Sequence, residues 1–215
     1  MAKPISHLRR SYTKAFLSED IAAGNPFDQF NNWFGQNLKT DKHEPTAVIL
    51  ATSNKVGRPS ARVVLLKDFD EISGFLFFTN YESRKGHELK SNPYASLLFY
   101  WPLLERQIRI EGKVKKVSKE ISEKYFQARP RASQFGAWAS EQSSVIPHRL
   151  FLENTLSNLK KYFSDEDPLP LPPFWGGYTL QPTYFEFWQG RQDRLHDRII
   201  YKYSRKKWLM ERLAP

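Results

Sequence analysis

The sequence contains no cysteine. That absence excludes a disulfide scaffold, a thiol nucleophile and any cysteine-ligated metal centre. No stretch approaches the roughly 18 apolar residues a membrane-spanning helix needs. Met1 to Arg10 lacks the apolar run of a signal peptide, so the expected compartment is the cytoplasm, with no membrane partner. There is no glycine-rich phosphate loop, no strand–helix alternation of the dinucleotide-binding kind, no internal repeat and no low-complexity linker. Negative charge is also scarce: 23 Asp+Glu stand against 33 Lys+Arg, a formal net charge of +10. A chain this basic attracts anions: nucleic acid, an anionic membrane face, or a small phosphate ester. Composition does not choose among them, but the placement of the charges bears on the choice.

What is present is a folded-protein composition, 40% hydrophobic and 15% aromatic over 215 residues, too apolar for a disordered chain. Residues 1–24 are polar and irregular and read as a flexible arm; residues 25–215 read as one domain. Asn25-Pro26 is a helix start, and Phe27, Phe30 and Phe34 follow at helical spacing to about Leu38. Strands are expected at 46–53, 61–68, 75–79, 94–101 and 107–117, with a short helix at 83–91. Within 107–117, Ile108, Ile110 and Gly112 alternate with Arg109, Glu111 and Lys113, the mark of a strand with one face inward. Helices are expected at 118–128, 132–140 and 147–163, the last with Leu152, Leu156 and Leu159 on one side. Four β segments close the chain, at 174–180, 184–189, 198–203 and 207–213. About eight short strands with interspersed helices predict a mainly β, α+β fold, a closed or nearly closed barrel with helices at its periphery.

Cationic residues gather in small clusters at the ends of these elements. Arg62 and Lys67 bracket the apolar run Val63-Val64-Leu65-Leu66, Ser83-Arg84-Lys85 opens a helix, and Arg129, Arg131 and Ser133 lie between two helices. Each cluster alone reads as solvated charge, since lysines at strand edges discourage aggregation. A helix start, however, is also a natural seat for a phosphate. The least bland cluster is Arg194, His196 and Arg198, which would share one face of an extended segment. Three such groups together favour an anionic ligand over a metal, because arginine is not a metal ligand and only one histidine is near. No long basic stripe or nucleic-acid-binding motif is present, so no nucleic-acid partner is expected.

Glu186-Phe187-Trp188-Gln189 followed by Arg194-Leu195-His196-Asp197-Arg198 resembles the signature of the pyridoxine (pyridoxamine) 5′-phosphate oxidases. The resemblance extends through Arg62 to Lys67, Thr79-Asn80 with Ser83-Arg84-Lys85, Glu105-Arg106-Gln107, Tyr125-Phe126 with Arg129-Pro130-Arg131, Gly136-Ala137-Trp138, Gln142-Ser143-Ser144, Phe174-Trp175-Gly176-Gly177 and Arg212 to Pro215. It implies an FMN-binding split β-barrel working as a homodimer, with FMN at the subunit interface. It implies oxidation of pyridoxine 5′-phosphate or pyridoxamine 5′-phosphate by oxygen to pyridoxal 5′-phosphate, with release of hydrogen peroxide.

Carried over by position, the FMN-contacting residues would be Arg62, Val63, Val64, Leu65, Leu66, Lys67, Phe78, Thr79, Arg84, Lys85, Gln107, Gln142, Ser143, Trp188 and Arg198. Lys67, Tyr125, Arg129 and Ser133 would hold the substrate phosphate. Arg194, Leu195 and His196 would lie at the substrate ring, with Arg194 and His196 in the catalytic roles, and Arg9 and Tyr12 would belong to an arm that covers the site. Two departures stand out: Phe78 replaces a tyrosine that relatives can carry, and Arg191-Gln192-Asp193 is charged where relatives can be glycine-rich. Two rival readings are another FMN-dependent reductase on the same barrel and a non-catalytic pyridoxal phosphate carrier.

Overall fold

A computed structural model describes residues 11–215. Its elements in chain order are α1 (Pro26–Thr40), β1 (Ala47–Ser53), β2 (Pro59–Leu65), β3 (Asp68–Asp70), β4 (Gly74–Asn80), α2 (Arg84–Ser91), β5 (Tyr94–Trp101) and β6 (Arg106–Lys116). Then come α3 (Lys119–Ala128), α4 (Arg131–Ala139), α5 (Arg149–Tyr162), β7 (Trp175–Gln189), a single 3₁₀ turn (Gln192–Arg194), β8 (Asp197–Ser204) and β9 (Lys207–Leu213). Hydrogen bonding orders the strands β2-β1-β5-β6-β7-β4-β3, with β8 joined to β7 and β9 to β8. The antiparallel ladders pair Phe75 with Leu180, Glu186 with Ile200 and Tyr201 with Met210.

The chain divides into two compact units. One comprises the described part of Met1–Val48 together with Leu97–Glu111 and Pro182–Pro215. Its core is aromatic. Phe27, Phe30 and Trp33 recur along α1 and bury one face, meeting Phe185, Phe99 and Phe187 at ring separations of 5.3, 5.1 and 5.4 Å. The helix starts where the sequence says it should: the Asn25 side chain accepts from the Phe27 N–H at 2.8 Å, and Pro26 needs no donor in the first turn. Residues 11–24 form no helix or strand. They are tied down by Glu105, whose carboxylate accepts from the backbone N–H groups of Thr13 and Lys14, and by Asp197, which accepts from that of Leu17.

The other unit comprises Ile49–Ser96 and Gly112–Gln181. Leu50, Phe75 and Phe77 lie in its interior. A second aromatic cluster joins Phe126, Phe135, Phe163, Leu169 and Trp175, with Phe78, Tyr125, Trp138, Leu156 and Leu159 packed on its margin. In α5 the expected leucine face is only half buried; no residue of that helix reaches the interior fully. The expected break between 180 and 184 is absent. β7 runs unbroken for 15 residues through Pro182, where the burial alternation lapses without ending the strand. β3 is a separate short strand, and because 174–180 and 184–189 merge into β7 the described residues still hold nine strands.

Candidate functional site

In the second unit, β2, the end of β4, the start of α2, the α3–α4 junction and the loop after α4 surround a cavity of about 760 Å³. That is within the usual range for a cofactor or drug-sized ligand, roughly 300–1,000 Å³. Arg62, Val63, Val64, Leu65, Lys67, Phe78, Thr79, Lys85, Tyr125, Arg129, Ser133 and Gln142 all line it. The structure thus brings together residues separated by 80 positions of sequence, from four of the quoted clusters. Leu66 does not line it: alternation along the chain turns its side chain into the core, where it is 3% exposed. Arg84 and Ser143 line an adjoining cleft that shares Gln142. Arg131 faces elsewhere, bonding the Glu166 carbonyl and pairing with Asp167 at 3.4 Å.

Two kinds of cation line the cavity. Arg62 is neutralised. Glu88, buried at the heart of α2, accepts from Thr52 at 2.5 Å and Ser60 at 2.6 Å, and pairs with Arg62 at 3.4 Å and with Arg84 of the adjoining cleft at 2.9 Å. Burial works against the Glu88 charge, but the bonds from Ser60, Thr52 and Arg84 prevail and hold its pKa at about 2. Burial pulls the Arg62 guanidinium down from its ordinary value, with Glu88 opposing.

The second kind has no carboxylate partner. Among the described residues, no ion pair joins Lys67, Lys85 or Arg129 to an acid. Lys85, 9% exposed, donates to Gln142 at 2.8 Å and Ser83 at 3.3 Å. Burial first, and Arg62 second, lower its pKa to about 8. Arg129 is lowered by burial as well, and its buried Nη1 has no hydrogen-bond partner. A buried guanidinium nitrogen left unbonded is costly unless a ligand completes it. The local sequence explains the placement. Ser83 caps α2 and presents Lys85 at the helix N-terminus, while Arg129-Pro130 ends α3 and starts α4 so that Arg129 stays at the corner.

In the first unit, Trp188, His196 and Tyr12 form an aromatic cluster, with rings 4.6, 5.7 and 5.8 Å apart. Gly190 has no room for a side chain, because a Cβ there would lie 2.7 Å from the Tyr12 ring. His196 Nδ1 accepts from the Arg191 N–H at 3.0 Å. Burial and the neighbouring Arg194 charge lower its pKa, so the imidazole is neutral at neutral pH.

The expectation that Arg194, His196 and Arg198 share an extended face does not hold. Asp193 and Arg194 take positive φ angles of 54° and 62° in the 3₁₀ turn, which rotates Arg194 out of any strand pattern. Arg198 alone lies in β8. It pairs with Glu186 at 2.8 Å and donates to the Ala214 carbonyl, so the supposed repulsion is relieved by a buried carboxylate on the adjacent strand β7. Arg194 and Leu195 are exposed and Gln107 is half-buried on β6. Arg9 lies outside the described residues.

Sequence reasoning passed over Asn80, Gly136, Ala137, Ser140 and Trp175, all of which line the cavity. Asn80, Gly136, Ala137 and Trp175 sat inside quoted motifs but carried no charge to single them out.

The profile of the family described as pyridoxamine 5′-phosphate oxidase matches residues 34–162. That described as the pyridoxine 5′-phosphate oxidase C-terminal dimerisation region matches residues 175–215. A pyridoxine/pyridoxamine 5′-phosphate oxidase of Acaryochloris marina is 51% identical, covering 98% of this chain and 95% of its own. One of Gloeothece citriformis is 52% identical over the whole of both chains. Among solved structures, PhzG from Burkholderia lata 383, in complex with tetrahydrophenazine-1-carboxylic acid, is 31% identical with a TM-score of 0.87, covering 96% of this chain and 100% of that one. A pyridoxamine 5′-phosphate oxidase-related, FMN binding protein of Nostoc punctiforme is 19% identical with a TM-score of 0.70, covering 89% and 98%, a likeness of fold: the split β-barrel.

Proposed function

The chain belongs to the pyridoxine/pyridoxamine 5′-phosphate oxidase family, and we propose that it oxidises pyridoxine 5′-phosphate or pyridoxamine 5′-phosphate with dioxygen, through bound FMN, to pyridoxal 5′-phosphate and hydrogen peroxide, the amine substrate also consuming water and releasing ammonia. The observation that carries this reading is the cavity in which, among the described residues, Lys67, Lys85 and Arg129 stand without acidic partners and the buried Arg129 Nη1 is unbonded. FMN and the substrate each carry a phosphate monoester, near a dianion at neutral pH. A donor set of this kind fits such groups and would be poorly served by a neutral ligand.

When bound, FMN supplies two-electron oxidation at the substrate's 4′ carbon and reoxidation by dioxygen. The protein's part is binding and orientation. Arg62, Lys85 and Gln142, with Arg84 and Ser143, would hold FMN. Lys67, Tyr125, Arg129 and Ser133 would hold the substrate phosphate and so fix the ring; positioning of this kind supplies up to ~7–11 kcal/mol when alignment is ideal. Arg194 would steer the 4′ substituent. His196, neutral and with Nδ1 already accepting a backbone proton, would present its other nitrogen as a donor. The match to a dimerisation region supports a homodimer.

The likeness to PhzG favours a second reading, a ring substrate bearing a carboxylate in place of a phosphate. The relatives at 51% and 52% identity weigh against it, as does the number of unpaired cations. The test is product analysis. FMN-loaded protein given pyridoxine 5′-phosphate in air should release pyridoxal 5′-phosphate and hydrogen peroxide in equal amounts. Turnover of a cyclic carboxylate with none of the phosphate ester would establish the second reading instead.

A further inference from the structure

Trp175 is absent from the set of residues that the family resemblance assigns to the site, yet it stands behind most of the phosphate-holding groups. Its ring is parallel to that of Phe78, with centroids 5.4 Å apart and 9° between planes. Phe78 in turn stacks on Tyr125 at 3.9 Å and 10°. Tyr125 and Trp175 are themselves within 2° of parallel, with centroids 6.2 Å apart. Trp175, Phe78 and Tyr125 therefore form one compact set of parallel rings along the wall of the cavity, each within 6.2 Å of the other two.

Two of the three rings carry a cation. The Arg129 guanidinium lies 4.9 Å from the Trp175 ring centroid, and Lys67 Nζ lies 6.0 Å from that of Tyr125. Neither cation has an acidic partner among the described residues. For Arg129 the ring faces of Trp175 and Phe126 stand where a carboxylate would otherwise stand. An aromatic face attracts a cation without neutralising it. A carboxylate would orient the guanidinium equally well but would cancel the charge the phosphate needs. Trp175 is itself fixed, 8% exposed within the cluster of Phe126, Phe135, Phe163 and Leu169. Phe78, which lacks the hydroxyl that relatives can carry at this position, joins these rings purely through its own ring.

We propose that Trp175 is a positioning residue for substrate binding: it holds Arg129 directly, and Tyr125 and Lys67 through this set of parallel rings, in place to receive the substrate phosphate. The proposal rests on the assignment of Arg129, Tyr125 and Lys67 to that phosphate.

The test compares FMN-loaded wild type with Trp175→Leu and Trp175→Phe. It measures KM for pyridoxine 5′-phosphate, kcat per bound flavin, and the affinity of inorganic phosphate by calorimetry. Trp175→Leu should raise KM and weaken phosphate binding in parallel, each by about tenfold, with kcat per bound flavin within about twofold of wild type. Trp175→Phe keeps an aromatic face and should restore most of the loss. An unchanged KM and phosphate affinity, with activity falling only as flavin content falls, would mean a merely structural tryptophan and overturn the proposal. If Trp175→Leu does not fold, Trp175→Met takes its place under the same two criteria. A wild type that binds phosphate but leaves pyridoxine 5′-phosphate unoxidised would sink the proposed function, and the phosphate affinities would still decide the role of Trp175.

Discussion

Lys85 keeps an ammonium group in a position where burial opposes it, and its pKa of about 8 gives that opposition a measurable consequence. A bound dianion favours the charged lysine, so binding is coupled to proton uptake once the free group has begun to lose its proton. FMN affinity should be full below about pH 8 and should fall as pH rises through that value. Lys85→Met should bind FMN more weakly and lose this alkaline dependence. A wild-type affinity flat from pH 7 to 10 would remove Lys85 from the flavin phosphate. Arg194 calls for a different experiment. Exposed, on a strained turn and remote in sequence from the cationic pocket, it should matter to turnover and not to flavin retention. Arg194→Ala should lower kcat per bound flavin by about two orders of magnitude or more. Loss of flavin with turnover per bound flavin intact would refute that role. At this scale the sequence made charged residues conspicuous, and four of them, Arg62, Lys67, Lys85 and Arg129, line the cavity. It could not show which cations are neutralised, because Glu88 and Thr52, which satisfy Arg62, lie in other elements.

At the scale of elements, α2 does more than present Lys85. Its single buried carboxylate, Glu88, ties the helix to β1 and β2 through Thr52, Ser60 and Arg62. The folded pKa near 2 lies below the ordinary value of 4.5. The carboxylate's stabilising contribution is therefore fully present above about pH 4.5 and is lost as pH falls toward 2. Wild type should resist urea better than Glu88→Gln at pH 7, and the gap should close across that acid window. A gap that stays constant down to pH 2 would mean that Glu88 charge does not stabilise the fold. The elements themselves were largely legible, since caps and periodicity are local: Asn25-Pro26 opened α1 and Ser83 capped α2 as expected. What escaped was non-local or conformational. β7 continues through Pro182 because neighbouring strands hold both of its halves, and Arg194 leaves the strand pattern because Asp193 and Arg194 take left-handed backbone angles.

For the whole molecule, net charge and function are the same observation at different ranges. A formal charge of +10 is tolerated because most cations are solvated or paired, and it is concentrated to effect where Lys67, Lys85 and Arg129 share one cavity. The dimerisation region at 175–215 includes Trp188, Arg194, His196 and Arg198. The FMN-loaded protein should therefore sediment as a dimer, and a monomer with full activity would contradict the homodimer. The proposed hydride transfer from a phosphorylated pyridine to flavin is read by mixing FMN-loaded protein with pyridoxine 5′-phosphate without oxygen while following the flavin absorbance. The expected result is bleaching, reversed by air with release of hydrogen peroxide. A flavin that stays bound and oxidised would contradict it, leaving the family fold with a different reaction or none.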